Sequence, residues 1–262
     1  MRPLTVAVVV PAFNASLTLP QCLQALLTQT RSPDQIIVVD DGSTDHTADV
    51  VAAFGGVVYI RQENAGPACA RNRGEREAVA DVVLFTDSDC EPVPDWVETT
   101  LAGFQREGVG VVSGSYAIRN PASRLARCIH EEIAYRHQHL MPAFPRSFGS
   151  YNFAVLRDVF AQVGGFDESY RTASGEDNDL SYKIRTAGYK IYFERNSKVA
   201  HVHPERVFKY LREQFRHGFW RVKMYRDHPH MAGGDDYTFW KDIWEIGLAG
   251  AIGLGVVLAV LG

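Results

Sequence analysis

The sequence VVLFTDSDCEP at residues 82–92 decides how this chain is expected to fold. Its first four residues are apolar and include β-branched and aromatic side chains, which is typical of a strand buried on both faces of a sheet. That strand leads directly into two carboxylates, Asp87 and Asp89, separated by one serine. Two nearby carboxylates repel each other and resist burial, and a divalent cation with oxygen ligands would relieve both costs. Asp-Ser-Asp is also ordinary turn sequence, so a metal site and a simple turn are both open here.

Strand and helix patterns alternate on the N-terminal side of this stretch. Strands are predicted at residues 5–13, 35–43 and 57–62, and helices between them at residues 16–30, 44–54 and 66–80. This order predicts an α/β fold with a mostly parallel, Rossmann-like sheet flanked by helices. Such sheets bind ligands at the carboxyl ends of their strands. Here those ends carry Phe13, Asn14, Asp40 and Asp41 as well as the two acids, which favours the metal site over the turn.

The second half of the chain has a less regular pattern. A strand is predicted at residues 109–118, and irregular structure fits the proline-containing segment 141–150. Helices are predicted at residues 121–140 and 155–166, the latter ending at Gly164 or Gly165. Residues 177–193 fit a helix, a stop at Gly188 and a final strand.

The composition excludes several classes of protein. The chain has 262 residues, 46% hydrophobic and 22% charged, which is typical of a globular protein with a sizeable core. The net charge of −4 gives no sign of a nucleic-acid partner, since such proteins carry a basic surplus. The four cysteines show no metal-binding spacing, and we interpret them as reduced thiols in a cytosolic protein.

The C-terminal residues 243–262 are expected to form a transmembrane helix. From Ile246 to Gly262 the sequence contains no charged residue. As a helix this stretch would span roughly 25 Å, a little short of a bilayer core of about 30 Å. Its repeated glycines weaken a soluble helix but suit close packing between membrane helices. The alternative is a buried C-terminal helix.

The preceding segment, residues 206–242, is predicted to be basic, amphipathic and close to the membrane. Between residues 206 and 226 there are seven Lys or Arg residues against one acid, Glu213. Phe208, Leu211, Phe215 and Phe219 recur at helical spacing. A basic helix with an apolar stripe indicates docking on an anionic leaflet. The alternative is a solvated basic face packed on the preceding domain.

Six motifs taken together resemble a known family. They are VVVPAFN, VVDDGSTD, NAGPACARNRG, LFTDSDC, VGGFDES and GEDNDLSYKIRTAGYKI, in this order between residue 8 and about residue 191. This series resembles the family-2 glycosyltransferases, and in particular membrane-associated, bacterial-type members. The resemblance implies a GT-A fold over residues 1–205, with a nucleotide-sugar-binding half (1–100) and an acceptor-binding half (101–205). It also implies transfer of a sugar from a nucleotide-sugar donor with inversion at the anomeric carbon.

The resemblance also implies which residues bind the donor. Phe13 would stack on the base, Asp41 would accept a hydrogen bond from a uracil-type N–H, and Arg71 would pair with phosphate oxygens. A UDP-sugar is the expected donor, with GDP and dTDP as alternatives. The full set implied for the donor is Pro11, Phe13, Asn14, Asp41, Asn64, Gly66, Arg71, Asp87 and Ser88.

The same resemblance assigns the metal, the base and the acceptor site. Asp87 and Asp89 match the D-x-D motif and would hold Mg²⁺ or Mn²⁺ on the donor's two phosphates, with His201 preferred over His203 as a further ligand. Asp177 is the expected general base and Glu176 its supporter. The alternative is that Asp177 and Asp179 are only acids at a helix N-terminus, stabilised by the helix dipole. The candidates for the acceptor site are Asn152, Gly165, Phe166 and Asp167.

Two other functions compete with this interpretation. A nucleotidyltransferase would need a glycine- and lysine-rich loop after the first strand, and PAFNASLTLP has neither residue; no G-x-G-x-x-G follows a strand either, which disfavours a dehydrogenase. A non-catalytic nucleotide-sugar-binding scaffold would be expected to have lost the acidic motifs, which are intact. We therefore expect an inverting glycosyltransferase at the cytosolic face of the cell membrane, anchored by its apolar C-terminal segment. Its acceptor would be lipid-linked or a saccharide.

Overall fold

The computed structural model describes residues 2–171, 175–215 and 226. Within these ranges eight strands form one sheet: β1 (Val6–Ala12), β2 (Gln35–Asp40), β3 (Val57–Arg61), β4 (Val82–Thr86), β5 (Cys90–Pro92), β6 (Val109–Ile118), β7 (Asn152–Leu156) and β8 (Lys190–His201). The α-helices that accompany them are α1 (Leu19–Leu27), α2 (Thr47–Ala52), α3 (Pro67–Glu77), α4 (Trp96–Ala102), α5 (Arg124–Tyr135), α6 (Arg157–Val163) and α7 (Glu176–Thr186). The alternation of strand and helix predicted for the first hundred residues is confirmed.

The sheet is mixed and not mostly parallel as predicted. Its strand order is β3-β2-β1-β4-β7-β6-β8-β5. The first four strands in this order are parallel to one another. β7 runs antiparallel to both β4 and β6, and β5 runs antiparallel to β8, whereas β6 and β8 are parallel. The prediction was wrong for the second half because an apolar run shows that a strand is buried, but not which way it runs.

Both faces of the sheet are covered, which explains the continuous apolar runs of the strands. Successive side chains of a strand point to opposite faces. Val8 in β1 accordingly joins an apolar cluster with α1 and α4, whereas its neighbour Val9 joins a second cluster with α3, α6 and α7. Both valines are fully buried, and each such burial contributes roughly 1.5–3 kcal/mol.

Helix α3 packs unusually close to the sheet. A Cβ atom at Gly74 would lie 2.3 Å from Cγ1 of Val9, so no larger residue fits there without a shift of the helix or the strand. Glycine inside a helix costs about 1 kcal/mol relative to alanine, and here it permits the close contact. The N-terminal half of α3, which carries Arg71, is thereby held near the carboxyl ends of β1 and β2.

The predicted elements of the second half are present, but the central strand β7 was not predicted. The helix predicted at residues 155–166 is α6, and the predicted helix, stop and strand at residues 177–193 correspond to α7, Gly188 and the start of β8. The helix predicted at residues 121–140 comprises α5 and a π-helical turn, Arg136–Leu140. Residues 141–150 have no regular structure, as predicted.

The C-terminal predictions are only partly covered. Residues 207–215 are helical, with 88% of Phe208, 54% of Leu211 and 78% of Phe215 exposed. None of the helices within the described ranges combines the length and the apolar character needed to cross a membrane. The predicted transmembrane segment, residues 243–262, lies outside the described residues, as does most of the basic segment 206–242.

Candidate active site

Polar residues after β1 and β2 are joined at the carboxyl edge of the sheet. The backbone N–H of Asn14 donates to Oγ of Ser43 (2.9 Å), and Oδ1 of Asn14 accepts from the N–H of Thr44 (2.8 Å). Asn14 has a φ of 50°, a left-handed conformation that asparagine tolerates better than most residues. Its side chain therefore holds the two loops together at the edge where the sequence predicted the site.

Phe13 provides an exposed aromatic surface beside these loops. About half of the residue, 52%, is exposed. An exposed ring at the edge of a polar cleft is suited to stacking on a flat base. Pro11, in contrast, lies within β1 opposite Val39 of β2 and is half-buried, so it shapes the strand below the cleft.

Asp41 is bound by the protein itself. Its Oδ1 accepts hydrogen bonds from Nε2 of Gln62 (2.7 Å) and from the N–H of Ala65 (2.9 Å), and its Oδ2 accepts from the N–H of Gly66 (2.8 Å). Asn64 belongs to the same loop, because its Nδ2 donates to the backbone carbonyl of Asp41 (3.0 Å). Asp41 therefore fixes the loop that leads into α3, a role that the sequence did not indicate.

Gly66 stands at the start of α3 in a conformation that requires glycine. Its φ is 96° and its ψ is 165°, a combination that residues with a side chain almost never adopt. A Cβ atom there would lie 2.5 Å from the carbonyl oxygen of Arg171. Together with Asp41, this glycine brings the first turn of α3 under the loop after β2.

Arg71 is buried, whereas a side chain that binds the donor's phosphates is expected to reach the open cleft. The residue is only 2% exposed. Its Nη2 lies 2.8 Å from Oδ1 of Asp87, and its Nη1 lies 3.0 Å from Oε1 of Glu176. The guanidinium joins two carboxylates from distant parts of the chain, and its burial is tolerated because both charges are paired. The predicted contact of Arg71 with the donor's phosphates stays a prediction.

The loop between β4 and β5 presents the two acids of the opening motif. Asp87 and Asp89 have side chains that are 34% and 47% exposed, and Ser88 between them is half-buried. Nε2 of His201, at the end of β8, lies 3.3 Å from Oδ2 of Asp89. Cys90 pairs with His201 in the ladder between β5 and β8, and this pairing explains the contact.

Asp89 and His201 shift each other's proton affinity. Burial favours the neutral form of each group, but the hydrogen bond and charge of the partner prevail. The pKa of Asp89 is consequently lowered below its ordinary value, and that of His201 is raised. His203, the alternative ligand, instead has its backbone N–H bonded to Asn120 (3.1 Å) and its ring buried, so of the two histidines only His201 touches the acidic motif.

The donor set of Asp87, Asp89 and His201 suits a divalent cation. Carboxylate oxygens are the ligands that Mg²⁺ and Mn²⁺ prefer, and imidazole nitrogen is a common additional ligand. In the part of the chain that the structure describes, no three His, Cys, Asp or Glu side chains are close enough to enclose a metal by themselves. Asp89 and His201 are the pair already in contact, while Asp87 is held by Arg71.

Glu176 and Asp177 begin α7 at the same edge. Glu176 is buried, and its Oε1 accepts from Arg71 and, at 3.5 Å, from Oγ of Ser150. Asp177 is half-buried, and its Oδ1 accepts the N–H of Asn178 (2.9 Å). Burial and then the charge of Glu176 raise the pKa of Asp177 to about 7, against the opposing effects of the Asn178 N–H, the Arg71 charge and the Ser150 N–H. A carboxylate with a pKa near neutrality is suited to general base catalysis.

Asn152 is a structural residue and not an acceptor contact. It is 1% exposed. Its Nδ2 donates to the carbonyls of Ser115 and Ser197, both at 3.0 Å, and its Oδ1 accepts Nε1–H of Trp96 at 2.8 Å. This correction follows from the topology: β7 lies between β4 and β6, so a polar side chain at its start is enclosed by neighbouring elements.

Gly165 and Phe166, two of the candidates for the acceptor site, are packed into the core and also line a cavity. Both are buried, and Phe166 makes edge-to-face contacts with Phe85 (5.9 Å) and Phe160 (5.8 Å). Asp167 is half-buried and lines, with these two residues, a cavity of about 500 Å³. The residues lining that cavity include neither Asp87 nor Asp177, so it is separate from the acidic cluster.

Some neighbours of the site were not among the predicted site residues. Tyr116 stacks on Tyr151 at a centroid distance of 3.7 Å and lies 5.5 Å from the ring of His201. Ser150 contacts Glu176 from the irregular segment before β7. Ser150 and Tyr151 belong to the stretch GSYNFAV at residues 149–155, whereas Tyr116 lies in β6 outside any motif. The arrangement of β6, β7 and β8 brings all three residues near the acids.

Comparison with known proteins agrees with this geometry. Residues 7–164 match the family described as "Glycosyl transferase family 2". The chain belongs to this family. The match includes the strand ends, the buried arginine and the acidic loop after β4, and this chain is accordingly a glycosyltransferase.

Several curated family members are similar over most of this chain. Glycosyltransferase AglE of Haloferax volcanii is 27% identical over 228 residues, covering 84% of this chain and 74% of that protein. The pre-mycofactocin glycosyltransferase of Mycobacterium tuberculosis is 31% identical over 235 residues, covering 86% of this chain. The chain spans only 48% of that mycobacterial protein's length. The substrates of that protein are therefore not assigned to this chain.

Solved structures show the same fold. The mannosyltransferase PcManGT from Pyrobaculum calidifontis, in complex with GDP-Man and Mn²⁺, superposes with a TM-score of 0.63 at 22% identity, over 80% of this chain and 60% of that one. GalNAc-T7 with UDP, GalNAc and Mn²⁺ gives a TM-score of 0.61 at 19% identity, over 76% of this chain and 44% of that one. The GT-A-like fold, a curled mixed sheet flanked by helices, is thereby confirmed.

Proposed function

We propose that this family-2 glycosyltransferase moves a sugar from a nucleoside-diphosphate sugar to a hydroxyl group, with inversion at the anomeric carbon. One observation carries the proposal. At one edge of the sheet, the half-buried Asp177, with a pKa raised to about 7, is connected through Glu176 and Arg71 to Asp87 of the D-x-D loop. A base and a diphosphate-binding motif in one site are what a single displacement requires.

The donor is proposed to lie across the carboxyl ends of β1, β2 and β4. Phe13 offers its exposed face to the base, and the loop fixed by Asp41 and Gly66 forms the wall beside it. A UDP-sugar is the first candidate, with GDP and dTDP as alternatives. The GDP-Man and UDP bound by the two structural neighbours support a nucleotide-sugar donor in general.

A divalent cation, Mn²⁺ or Mg²⁺, is proposed to be held by Asp87, Asp89 and His201. When bound, it would supply positive charge that stabilises the departing nucleoside diphosphate. The chain's own contribution is the prearranged contact between Asp89 and His201, whose Nε2 and Oδ2 lie 3.3 Å apart. Asp89 is half-exposed, so its carboxylate is open to a ligand from the cleft.

Asp177 is proposed as the general base. Its carboxylate takes the proton of the acceptor hydroxyl while that oxygen bonds to the anomeric carbon, and the bond from this carbon to the phosphate oxygen breaks. Because the pKa of Asp177 is about 7, the carboxylate is ionised above neutral pH and still has a high enough proton affinity to help in the transfer. Glu176 supports it by raising that affinity.

The acceptor is proposed to be lipid-linked or a saccharide, presented at the cytosolic face of the membrane. The exposed Phe208, Leu211 and Phe215 on the helical residues 207–215 support attachment to a bilayer. The basic composition between residues 206 and 226 adds attraction to anionic lipids. The apolar sequence at residues 243–262 is the proposed anchor.

Calorimetric titration with UDP, GDP and dTDP tests the donor assignment, each run with Mn²⁺ and again with EDTA. We expect one nucleotide to bind with Mn²⁺ at least tenfold more tightly than with EDTA. Asp89→Asn and His201→Gln should remove that difference, because these two residues are proposed to hold the cation. Neither residue pairs with the buried Arg71, so the substitutions leave its ion pairs in place.

The matched control is His46→Gln, because His46 pairs with Asp49 on the exposed start of α2. It should bind like the wild type. If no nucleotide binds to the folded wild type under either condition, the proposed donor site is wrong.

A further inference from the structure

Arg71 occupies a position that the proposed chemistry does not yet explain. It is 2% exposed, which is rare for arginine, and it spans two carboxylates that are far apart in the sequence. Asp87 belongs to the donor side of the site and Glu176 to the acceptor side. The link therefore runs directly between the motif expected to hold the cation and the helix that carries the base.

The guanidinium is held more firmly than an ordinary ion pair. Its two terminal nitrogens bond to different acids, at 2.8 Å and 3.0 Å, and its central carbon lies 5.5 Å from the centre of the Phe166 ring. Its Nε is buried and has no hydrogen-bond partner among the described residues. Only the planar fork of arginine can hold two carboxylates in this way, since lysine has a single charged atom.

One positive charge here serves three acids. The charge of Arg71 interacts favourably with the ionised carboxylates of Asp87, Glu176 and Asp177. Glu176, in contrast, raises the pKa of Asp177 because the two acids carry like charges. Glu176 on α7 and Arg71 on α3 are the charged neighbours with the largest effects on Asp177, and the Asn178 and Ser150 N–H groups add hydrogen bonds. Without Arg71, the negative charge of Glu176 would act on Asp177 unopposed by this guanidinium and would favour its protonated form.

We propose that Arg71 is a positioning residue of the reaction: it fixes Asp87 of the D-x-D loop and Glu176 at the start of α7 relative to each other, and it places a positive charge beside the base, Asp177. The inference rests on the proposed function of Asp177 as the base. It assigns to the arginine of NAGPACARNRG a task that is distinct from binding the donor's phosphates.

The direct test is a ¹³C-carboxyl NMR titration of Asp177, with its resonance assigned by its loss in Asp177→Asn. Arg71→Met should move the midpoint to higher pH by roughly one pH unit, because the opposing charge is lost. Glu176→Gln and Asp87→Asn should each move it to lower pH, the first by removing a like charge and the second by leaving more of the Arg71 charge uncompensated. Arg71→Lys should stay near the wild-type midpoint, since it keeps the charge.

Asp89→Asn is the matched control. Asp89 belongs to the same acidic loop as Asp87 but contacts His201 and not Arg71, so the midpoint of Asp177 should not move. If Arg71→Met cannot be obtained folded, Asp87→Asn and Glu176→Gln still carry the test. An unchanged midpoint in both variants would overturn the inference.

Transfer of sugar to water gives a second measurement, with release of the nucleoside diphosphate recorded against pH. The acid limb of the rate should move to higher pH in Arg71→Met, so that the loss is about tenfold larger at pH 6 than at high pH; the loss that remains at high pH measures the misorientation of Asp87 and Glu176. A wild type that releases no diphosphate from any nucleotide sugar would count against the proposed function. An active wild type whose acid limb does not respond to Arg71→Met would count against the role of Arg71 alone.

Discussion

Asp177→Asn should make the protein more stable and inactive at the same time. The pKa of Asp177 is raised from its ordinary value of 3.8 to about 7 by burial and by Glu176. A raised folded-state pKa means that the folded protein holds this proton more tightly than the unfolded chain. The resulting stability is fully present below the unfolded-state pKa and is lost as the pH rises through about 7.

The magnitude follows from the width of that pH window. A difference of about three pH units, at about 1.4 kcal/mol each, gives an upper limit of about 4 kcal/mol. Most of the range between pH 5 and pH 8 lies inside the window, so the wild type should lose about 2–3 kcal/mol there through this group alone. Asparagine does not titrate and can still accept the N–H of Asn178, so the variant should not show this loss.

Urea unfolding of both proteins at pH 5, 6, 7 and 8 measures the effect. We expect the variant's advantage in free energy of unfolding to be about 2–3 kcal/mol larger at pH 8 than at pH 5. Titrating groups that do not interact with Asp177 cancel in this difference. A constant difference across the four pH values would refute the raised proton affinity of Asp177, and with it the assignment of the general base.

Three further substitutions separate structural from binding roles. Asn152→Ala should lower the free energy of unfolding by about 2–5 kcal/mol, since it leaves the buried Trp96 N–H without an acceptor. The folded variant should still bind the nucleotide; a loss of binding without a loss of stability would instead support a role of Asn152 in the acceptor site. Gly66→Ala should cost at least about 1 kcal/mol in urea unfolding because of its φ of 96° and the nearby Arg171 carbonyl; an unchanged stability would contradict that geometry. Phe13→Ala should weaken nucleotide binding roughly tenfold in calorimetry with little change in stability, whereas Leu17→Ala, also exposed, should leave binding unchanged; equal effects of the two would exclude stacking on Phe13.

The local elements of the first half could be predicted from the sequence because their signals are local. The apolar run Val82 to Phe85 is long enough to indicate a buried strand, and the acids that follow must then lie at its carboxyl end. Ordered motifs added the family and the expected roles of Asp87 and Asp177. The family and the GT-A-like fold were confirmed by comparison, and the roles of individual residues stay predictions.

The burial of Arg71 and Asn152 could not be predicted in this way. Both are polar residues in segments whose local pattern is compatible with exposure, and each is bonded to at least one element more than 40 positions away in the sequence. Because β7 lies between β4 and β6 and runs antiparallel to both, Asn152 at its start is enclosed by neighbouring elements. An apolar run in the sequence does not show in which direction a strand runs.

The sequence by itself determined the first four strands, the helices between them and the chemistry available at those strand ends, because these depend on residues close together in the chain; it did not indicate β5, β7 or α4. Only the tertiary structure decided which charges meet. Arg71 pairs with Asp87, 16 positions away, and with Glu176, 105 positions away. The proton affinity of Asp177 results from that meeting and from its burial, since both the distance between charges and the access of water are properties of the folded chain.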